Sequence, residues 1–288
     1  MNPSSALGRG ARVAKLVLAE FERAGLHAIE ITGVNGADCQ ARVREACTRG
    51  LRGLVLVGGD GLIGLVLQVA EARDLPIGVV PAGSGNDFAR QFALPRLPSA
   101  AVARVLASEG APLSVDLGVV SRAGAPDHWF AGGLSIGFDA AINRRANAIR
   151  LPLGPLRYHI ALVAEIFALR PRRFTVSLNG SERSFMGVLC TVMNTRAIGG
   201  GIPLAPQASV HDGHLDLVEV ASASKLRLLS VLGLLARAKH EPLPEVTITR
   251  ATTIHIDASD EIAFSDGEEV GTGPFEVRVA PGALTLLA

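Results

Sequence analysis

Leu54-Val55-Leu56-Val57-Gly58-Gly59-Asp60-Gly61 is the stretch on which the reading of this chain turns. Four branched aliphatic residues in a row read as a buried strand. Three glycines then surround one carboxylate without a break, and glycine permits backbone angles and close approaches that a side chain forbids. The expectation is a tight strand-to-helix turn whose backbone N–H groups can face a phosphate. Asp60 falls at the carboxyl end of the strand, where open α/β sheets bind their ligands. A glycine-rich turn with a capping aspartate is the plain alternative.

Upstream of this stretch, residues 12–24 carry an i, i+3, i+4 apolar pattern closed by Gly25, which predicts a helix. Residues 27–31 read as a short strand running into Thr32-Gly33, and residues 37–48 as a second helix with Asp38 near its start. Downstream, residues 62–73 predict a helix that is apolar on nearly every side. Residues 77–80 are the next strand. It ends in Pro81-Ala82-Gly83-Ser84-Gly85-Asn86-Asp87, a second glycine turn that again carries a carboxylate, followed by a short helix over 88–92. Strands alternating with helices predict a parallel sheet with right-handed crossovers, so that both glycine turns face one crevice.

Near residue 111 the pattern changes. Segments 114–120, 128–133, 174–179, 184–194, 215–220, 245–250, 253–257, 275–279 and 283–287 read as strands. Many alternate apolar with polar residues, as Val246-Thr247-Ile248-Thr249 does, which predicts antiparallel sheet and a sandwich. Asn179-Gly180 is a hairpin signal, and helical patterns interrupt at 158–169 and 225–239. Two domains follow: an α/β domain over 1–113 and a β-sandwich domain over 114–282.

Composition narrows the function classes. The 288 residues are 48% hydrophobic and 19% charged, enough for sizeable cores and unlike a disordered chain. A net charge of +1 supplies no global field for nucleic acid. Cys39, Cys47 and Cys190 fit neither a metal-ligand spacing nor a disulfide framework. No secretory leader opens the chain and no apolar run is long enough to span a bilayer. The expectation is a cytoplasmic protein.

The two turns together resemble the diacylglycerol kinase catalytic family of lipid kinases. The marks are Asn2-Pro3-Ser4-Ser5, Gly58-Gly59-Asp60-Gly61 and Gly83-Ser84-Gly85-Asn86-Asp87-Phe88-Ala89-Arg90. They continue with Gly137-Phe138-Asp139-Ala140, Asp212-Gly213-His214-Leu215-Asp216 and Asp266-Gly267-Glu268, in the family's order and over almost the whole chain. The resemblance implies a phosphofructokinase- or NAD kinase-like α/β domain followed by a β-sandwich. It also implies that the final strand, near 283–288, returns to the first domain.

The implied chemistry is phosphoryl transfer from ATP, with Mg²⁺, to the hydroxyl of diacylglycerol, giving phosphatidic acid. Such transfer needs a held polyphosphate, a divalent cation and an oriented nucleophile. Gly58, Gly59, Gly61, Gly83 and Gly85 offer backbone N–H groups to phosphates, Ser84 a hydroxyl. No Gly-Lys-Ser/Thr follows either turn, so this is not a P-loop. Asp60 is the candidate Mg²⁺ holder, directly or through water. By resemblance, Thr32 is the nucleotide-contacting threonine, Asn2, Pro3, Ser4 and Ser5 complete the phosphate contacts, and Glu268 is the general base, oriented or assisted by Asp266; a polar hairpin tip at Asp266-Gly267 is the plain alternative. Asn86 and Asp87 belong to the nucleotide segment and are also candidate N-caps of the helix they open. Asp212 resembles the family's structural metal ligand, with an Asp-capped turn as the alternative. His211 and His214 lack the further ligands of a zinc site. A lipid substrate implies a peripheral membrane surface as partner, with the arginines around 158–169 and the leucine-rich 225–239 segment as candidate contacts. A homodimer is known in the family's soluble bacterial branch, and the chain leaves the oligomeric state open.

The sequence departs from the family pattern in two places. Gly-Gly-Asp-Gly is commonly followed by Thr-x-Asn-Glu, and here by Leu62-Ile63-Gly64-Leu65, which removes a hydroxyl, an amide and a carboxylate. The family's first strand would precede Asn2, which suggests a start codon placed too late or a shortened chain. Three other readings stay open: a catalytically weak lipid-binding or regulatory relative, a kinase of ceramide, a sphingoid base or a polyprenol, and an NAD kinase. The NAD kinase family shares Gly-Gly-Asp-Gly but lacks the 83–90 run and the Asp-Gly-Glu segment.

Overall fold

The computed structural model describes residues 9–149, 160–161, 164–165, 168, 170–178, 180–258 and 261–288. The chain divides into two compact units, one formed by Met1–Asp116 with Gly282–Ala288 and the other by Leu117–Pro281.

The first unit is built on parallel strands. β1 (Leu54–Gly58) pairs with β2 (Ile77–Pro81) in the register Leu54↔Ile77 to Gly58↔Pro81. On the other side of β2 the chain end pairs in parallel, Leu286 with Ile77 and Leu287 with Gly78. Leu54, Leu56, Val57, Ile77, Val79 and Val80 are all buried, as strands covered on both faces must be. Helices α1 (Arg9–Arg23) and α6 (Pro98–Ala107) cover one face: Val17, Phe21, Val102 and Val105 pack with Val57, Val80 and Leu287. Helix α2 (Gly36–Cys47) starts where Asn35 accepts the N–H of Asp38 at 2.9 Å.

Three expectations change here. Residues 27–31 form no β-ladder. Ala28, Ile29 and Glu30 are exposed, and an extended segment becomes a strand only where a neighbour accepts its hydrogen bonds. The helix expected over 62–73 is two, α3 (Asp60–Leu67) and α4 (Ala70–Arg73), because Val69 turns extended and drives its side chain fully into the core. Helix α6, opened by Pro98 in its first turn, was not legible as periodicity. The second glycine turn leads into α5 (Asp87–Gln91).

The second unit is antiparallel. Its strands are β4 (His128–Phe130), β5 (Gly133–Gly137), β6 (Arg172–Leu178), β7 (Ser181–Met193), β8 (Leu215–Ala221), β9 (Val246–Ala251), β10 (Thr253–Asp257), β11 (Ile262–Ser265) and β12 (Glu268–Thr272). β3 (Leu113–Ser121) leads in and β13 (Phe275–Leu287) leads out. The order runs β10-β6-β7-β5-β11-β12, with β8 on β7 and β9 on β8. Phe130, Phe174, Cys190, Leu215, Ile254 and Phe275 belong to one core. A second core, with Leu189, Val218 and Val231, lies under helix α8 (Lys225–Leu235).

The hairpin marked by Asn179-Gly180 closes with Leu178 opposite Ser181; Asn179 itself lies outside the described residues. Segments 275–279 and 283–287 are one strand, not two. Their junction is held by the N–H of Gly282, which donates to Asp116 Oδ1 at 2.8 Å. β5, β11 and β12, of 5, 4 and 5 residues, are too short to announce a period, and no expectation covered the helix α7 (Phe138–Ala148). The 158–169 segment lies mostly outside the described residues.

Candidate active site

In the first unit the two glycine turns touch backbone to backbone. A Cβ on Gly83 would stand 2.5 Å from Gly59 Cα, and one on Gly59 would stand 2.9 Å from Gly83 Cα. Neither position can carry a side chain without parting the turns. Gly61 differs: a Cβ there would meet nothing within 4 Å. Asp60 bridges the turns. Its two carboxylate oxygens accept the N–H groups of Asp87 at 3.1 Å and Phe88 at 3.0 Å. A carboxylate there neutralises donors that α5 leaves unsatisfied in its first turn.

The expected N-cap role of Asn86 and Asp87 is therefore corrected. Asn86 sits in the left-handed region at φ 57° and makes no side-chain cap bond. Its amide instead pairs with its own turn, accepting from Gly83 N at 2.9 Å and donating to Gly83 O at 2.8 Å. The cap comes from Asp60, 27 residues upstream of Asp87. Arg90, which sequence reasoning passed over, donates to the Gly85 carbonyl from Nε and Nη2 at 3.2 and 2.9 Å. This satisfies a carbonyl of the second turn from within the turn's own helix. Its Nε is 3.7 Å from Asp87 Oδ1. Ser84 is exposed.

Helix α3 opens at Asp60, so the N–H groups of Asp60 and Gly61 have no acceptor within the helix. Leu62, the departure from the family pattern, is buried, and its side chain lies against Gly58. Leu65 packs toward Gly36 at the start of α2. The polar residues expected here are thus replaced by helix-to-turn packing. Thr32 lies in a loop, not at a strand end, and its hydroxyl donates to Glu30 at 3.1 Å. Asn2, Pro3, Ser4 and Ser5 lie outside the described residues.

In the second unit, Asp266 and Gly267 form the two-residue turn between β11 and β12, with φ of 48° and 90° and Ser265 opposite Glu268. Asp-Gly is the natural sequence for such a turn. The Asp266 carboxylate accepts from the N–H groups of Ala131 at 2.8 Å, Gly132 at 3.0 Å and Gly133 at 3.2 Å. From the other side, Asn194 donates its N–H to Gly132 O and its side-chain amide to Ala131 O, each at 2.8 Å. Asp266 thus fastens the hairpin to the 131–133 segment, and Glu268 stands exposed at the first position of β12. Nothing in the sequence ties residue 266 to residues 131–133.

Asp212 occupies an Asp-capped turn. Oδ1 accepts the His214 N–H at 3.0 Å, and Oδ2 is ion-paired with Arg250. Among the described residues no group of three His, Cys, Asp or Glu is placed to hold a metal ion. Asp216, beside it on β8, is buried, and burial pushes its carboxyl above the ordinary range.

Asp139, in the Gly137-Phe138-Asp139 segment, accepts from Thr191 Oγ1 at 2.6 Å and from the Ala140 N–H at 3.0 Å. Some of its surface stays accessible, yet desolvation raises its pKa to about 6 against these hydrogen bonds.

Two glycine turns in backbone contact on a parallel α/β unit, followed by an antiparallel unit with an acidic hairpin, make up the arrangement of a kinase of the diacylglycerol kinase type. The comparisons agree. Residues 1–120 match the diacylglycerol kinase catalytic domain, and residues 132–288 match the YegS C-terminal NAD kinase beta sandwich-like domain. The chain is 34% identical over 287 residues to the diacylglycerol kinase of Mycobacterium tuberculosis, covering 99% of this chain and 93% of that one. It is 28% identical over 268 residues to the diacylglycerol kinase of Bacillus subtilis, covering 90% and 85%. A crystal structure of a diacylglycerol kinase from Bacillus anthracis superposes with a TM-score of 0.75 at 18% identity, covering 99% and 94%. This chain belongs to the diacylglycerol kinase and YegS-like lipid kinase family.

Proposed function

We propose that this kinase transfers the γ-phosphoryl group of ATP to the free hydroxyl of diacylglycerol, giving phosphatidic acid and ADP. The single observation that carries the nucleotide side is the Gly59–Gly83 backbone contact braced by Asp60. It fixes two runs of backbone donors as one rigid cradle, which is the preorganisation that phosphoryl transfer asks of a protein. The N–H groups of Asp60 and Gly61 and the Ser84 hydroxyl bind phosphate oxygens. Both Asp60 oxygens already accept an N–H, so Asp60 meets a cation through water, the mode Mg²⁺ favours. Bound with the nucleotide, Mg²⁺ supplies charge neutralisation on the transferred phosphate. Glu268 takes the proton of the lipid hydroxyl as its oxygen bonds to phosphorus; Asp266 positions the hairpin that carries Glu268. The lipid is met at a bilayer surface; no described helix is long and apolar enough to cross one.

The test is labelled ATP with vesicles holding diacylglycerol, ceramide or a polyprenol, run beside Glu268→Ala. Labelled phosphatidic acid that vanishes in the variant supports the assignment. Label on another lipid alone moves the substrate, and no label on any lipid overturns the kinase reading. The burial of Leu62 against Gly58 favours a second reading, a lipid-binding relative with weak ATP use, which the same assay separates by turnover.

A further inference from the structure

We infer that helix α8 and its flanks form the surface by which the protein docks on an anionic lipid bilayer. The inference rests on the lipid-kinase reading and adds to it the place of membrane contact. Leu228, Val231 and Leu235 are buried in the second core of the antiparallel unit, which anchors the helix from below. The opposite side is also apolar: Leu226 is 82% exposed and Leu229 44%, followed by exposed Ser230 and Gly233. Leucines one turn apart have no reason to face water on a helix that already has a core side.

Charge selects the occupant. Residues 221–240 carry Lys225, Arg227, Arg237 and Lys239 and no acidic residue, and they hold two of the chain's three lysines. Arg227 is spent on Glu245, with bonds of 2.7 and 2.9 Å. Arg237 and Lys239 are exposed where the helix closes, at the left-handed Ala238 (φ 54°). The neighbouring segments add exposed apolar groups: Met186 is 48% exposed, and its carbonyl accepts the Ser222 N–H at 2.8 Å just before the helix. Exposed leucines on a helix that closes with the exposed cations Arg237 and Lys239 suit the interface of a negatively charged leaflet, which rewards both burial and charge.

Co-sedimentation tests this without ATP, so its failure is distinct from failure of the kinase reading. Vesicles of phosphatidylcholine alone are compared with vesicles holding 30% phosphatidylglycerol, for the full chain and for Leu226→Asp/Leu229→Asp and Arg237→Glu/Lys239→Glu. Binding to the anionic vesicles should fall about tenfold or more in each variant, and likewise for the unaltered protein in 0.5 M salt, because screening shortens the reach of the cations. Melting temperatures should stay unchanged, since all four side chains are exposed, and turnover of a short-chain, monomeric diacylglycerol should be retained. Equal binding by both variants overturns the inference. So does binding indifferent to phosphatidylglycerol, or a dimer in the unaltered protein that Leu226→Asp/Leu229→Asp dissolves.

Discussion

The carboxylates of this kinase are used in different ways, and their hydrogen bonds tell them apart. Asp60 has each oxygen on a backbone N–H of the neighbouring turn. Asp60→Asn keeps one acceptor, loses the charge and offers an N–H to a donor. It should lower the unfolding free energy by about 1–3 kcal/mol as well as lowering turnover, read by urea denaturation and kinase assay together. Glu268 is exposed and braces nothing, so Glu268→Gln should cut kcat about 10²- to 10⁴-fold at an unchanged melting temperature. A stability loss with Glu268→Gln would mean that this side chain is structural. Asp139 is the third case. Its pKa is raised from 3.8 to about 6 by burial, so its contribution is fully present below pH 3.8 and is lost as pH rises to about 6. The stability of the unaltered protein relative to Asp139→Asn should therefore fall by about 1–3 kcal/mol between pH 4 and pH 7 and stay level above.

At the scale of elements, the turns are the working parts, and glycine has two separate reasons to be in them. Gly59 and Gly83 are glycines because the turns meet there, whereas Gly61 opens onto empty space. Gly83→Ala should destabilise the first unit by more than the usual small-residue effect, since the clash is with backbone. Gly61→Ala should leave the unfolding free energy unchanged or raise it by about 0.5–1 kcal/mol, because alanine suits a helix better. If phosphate approaches at Gly61, that variant nevertheless raises the KM for ATP. Unaltered KM would remove Gly61 from the cradle. Much of this layer was legible in the sequence: the strand run at 54–58, the turn after 77–81 and the Asp-Gly hairpin at 266–267 follow from local backbone preference. The break at Val69 and the missing ladder at 27–31 were not, because the burial of Val69 and the lack of a strand neighbour among the described residues decided them.

For the whole molecule, the chain end is part of the first unit's sheet. Leu284, Leu286 and Leu287 are buried there, Leu286 and Leu287 beside β2, each a burial of about 1.5–3 kcal/mol. Their sum rivals the net stability of a typical domain. Deleting Gly282–Ala288 should accordingly unfold the first unit, seen as protease sensitivity of its helices, even though every proposed site residue remains in the chain.

The sequence by itself determined the two kinds of sheet, the two glycine turns, the acidic hairpin and the family that joins them, because periodicity, glycine angles and motif order are local or linear properties. Tertiary structure alone decided what those residues hold. Asp60 caps a helix 27 residues away, Asp266 fastens residues 131–133, Asp212 is drawn to Arg250, and Leu62 fills the space beside Gly58. Each is a choice of partner, and a hydrogen-bond or packing partner distant in sequence is set only when the elements carrying both groups are packed.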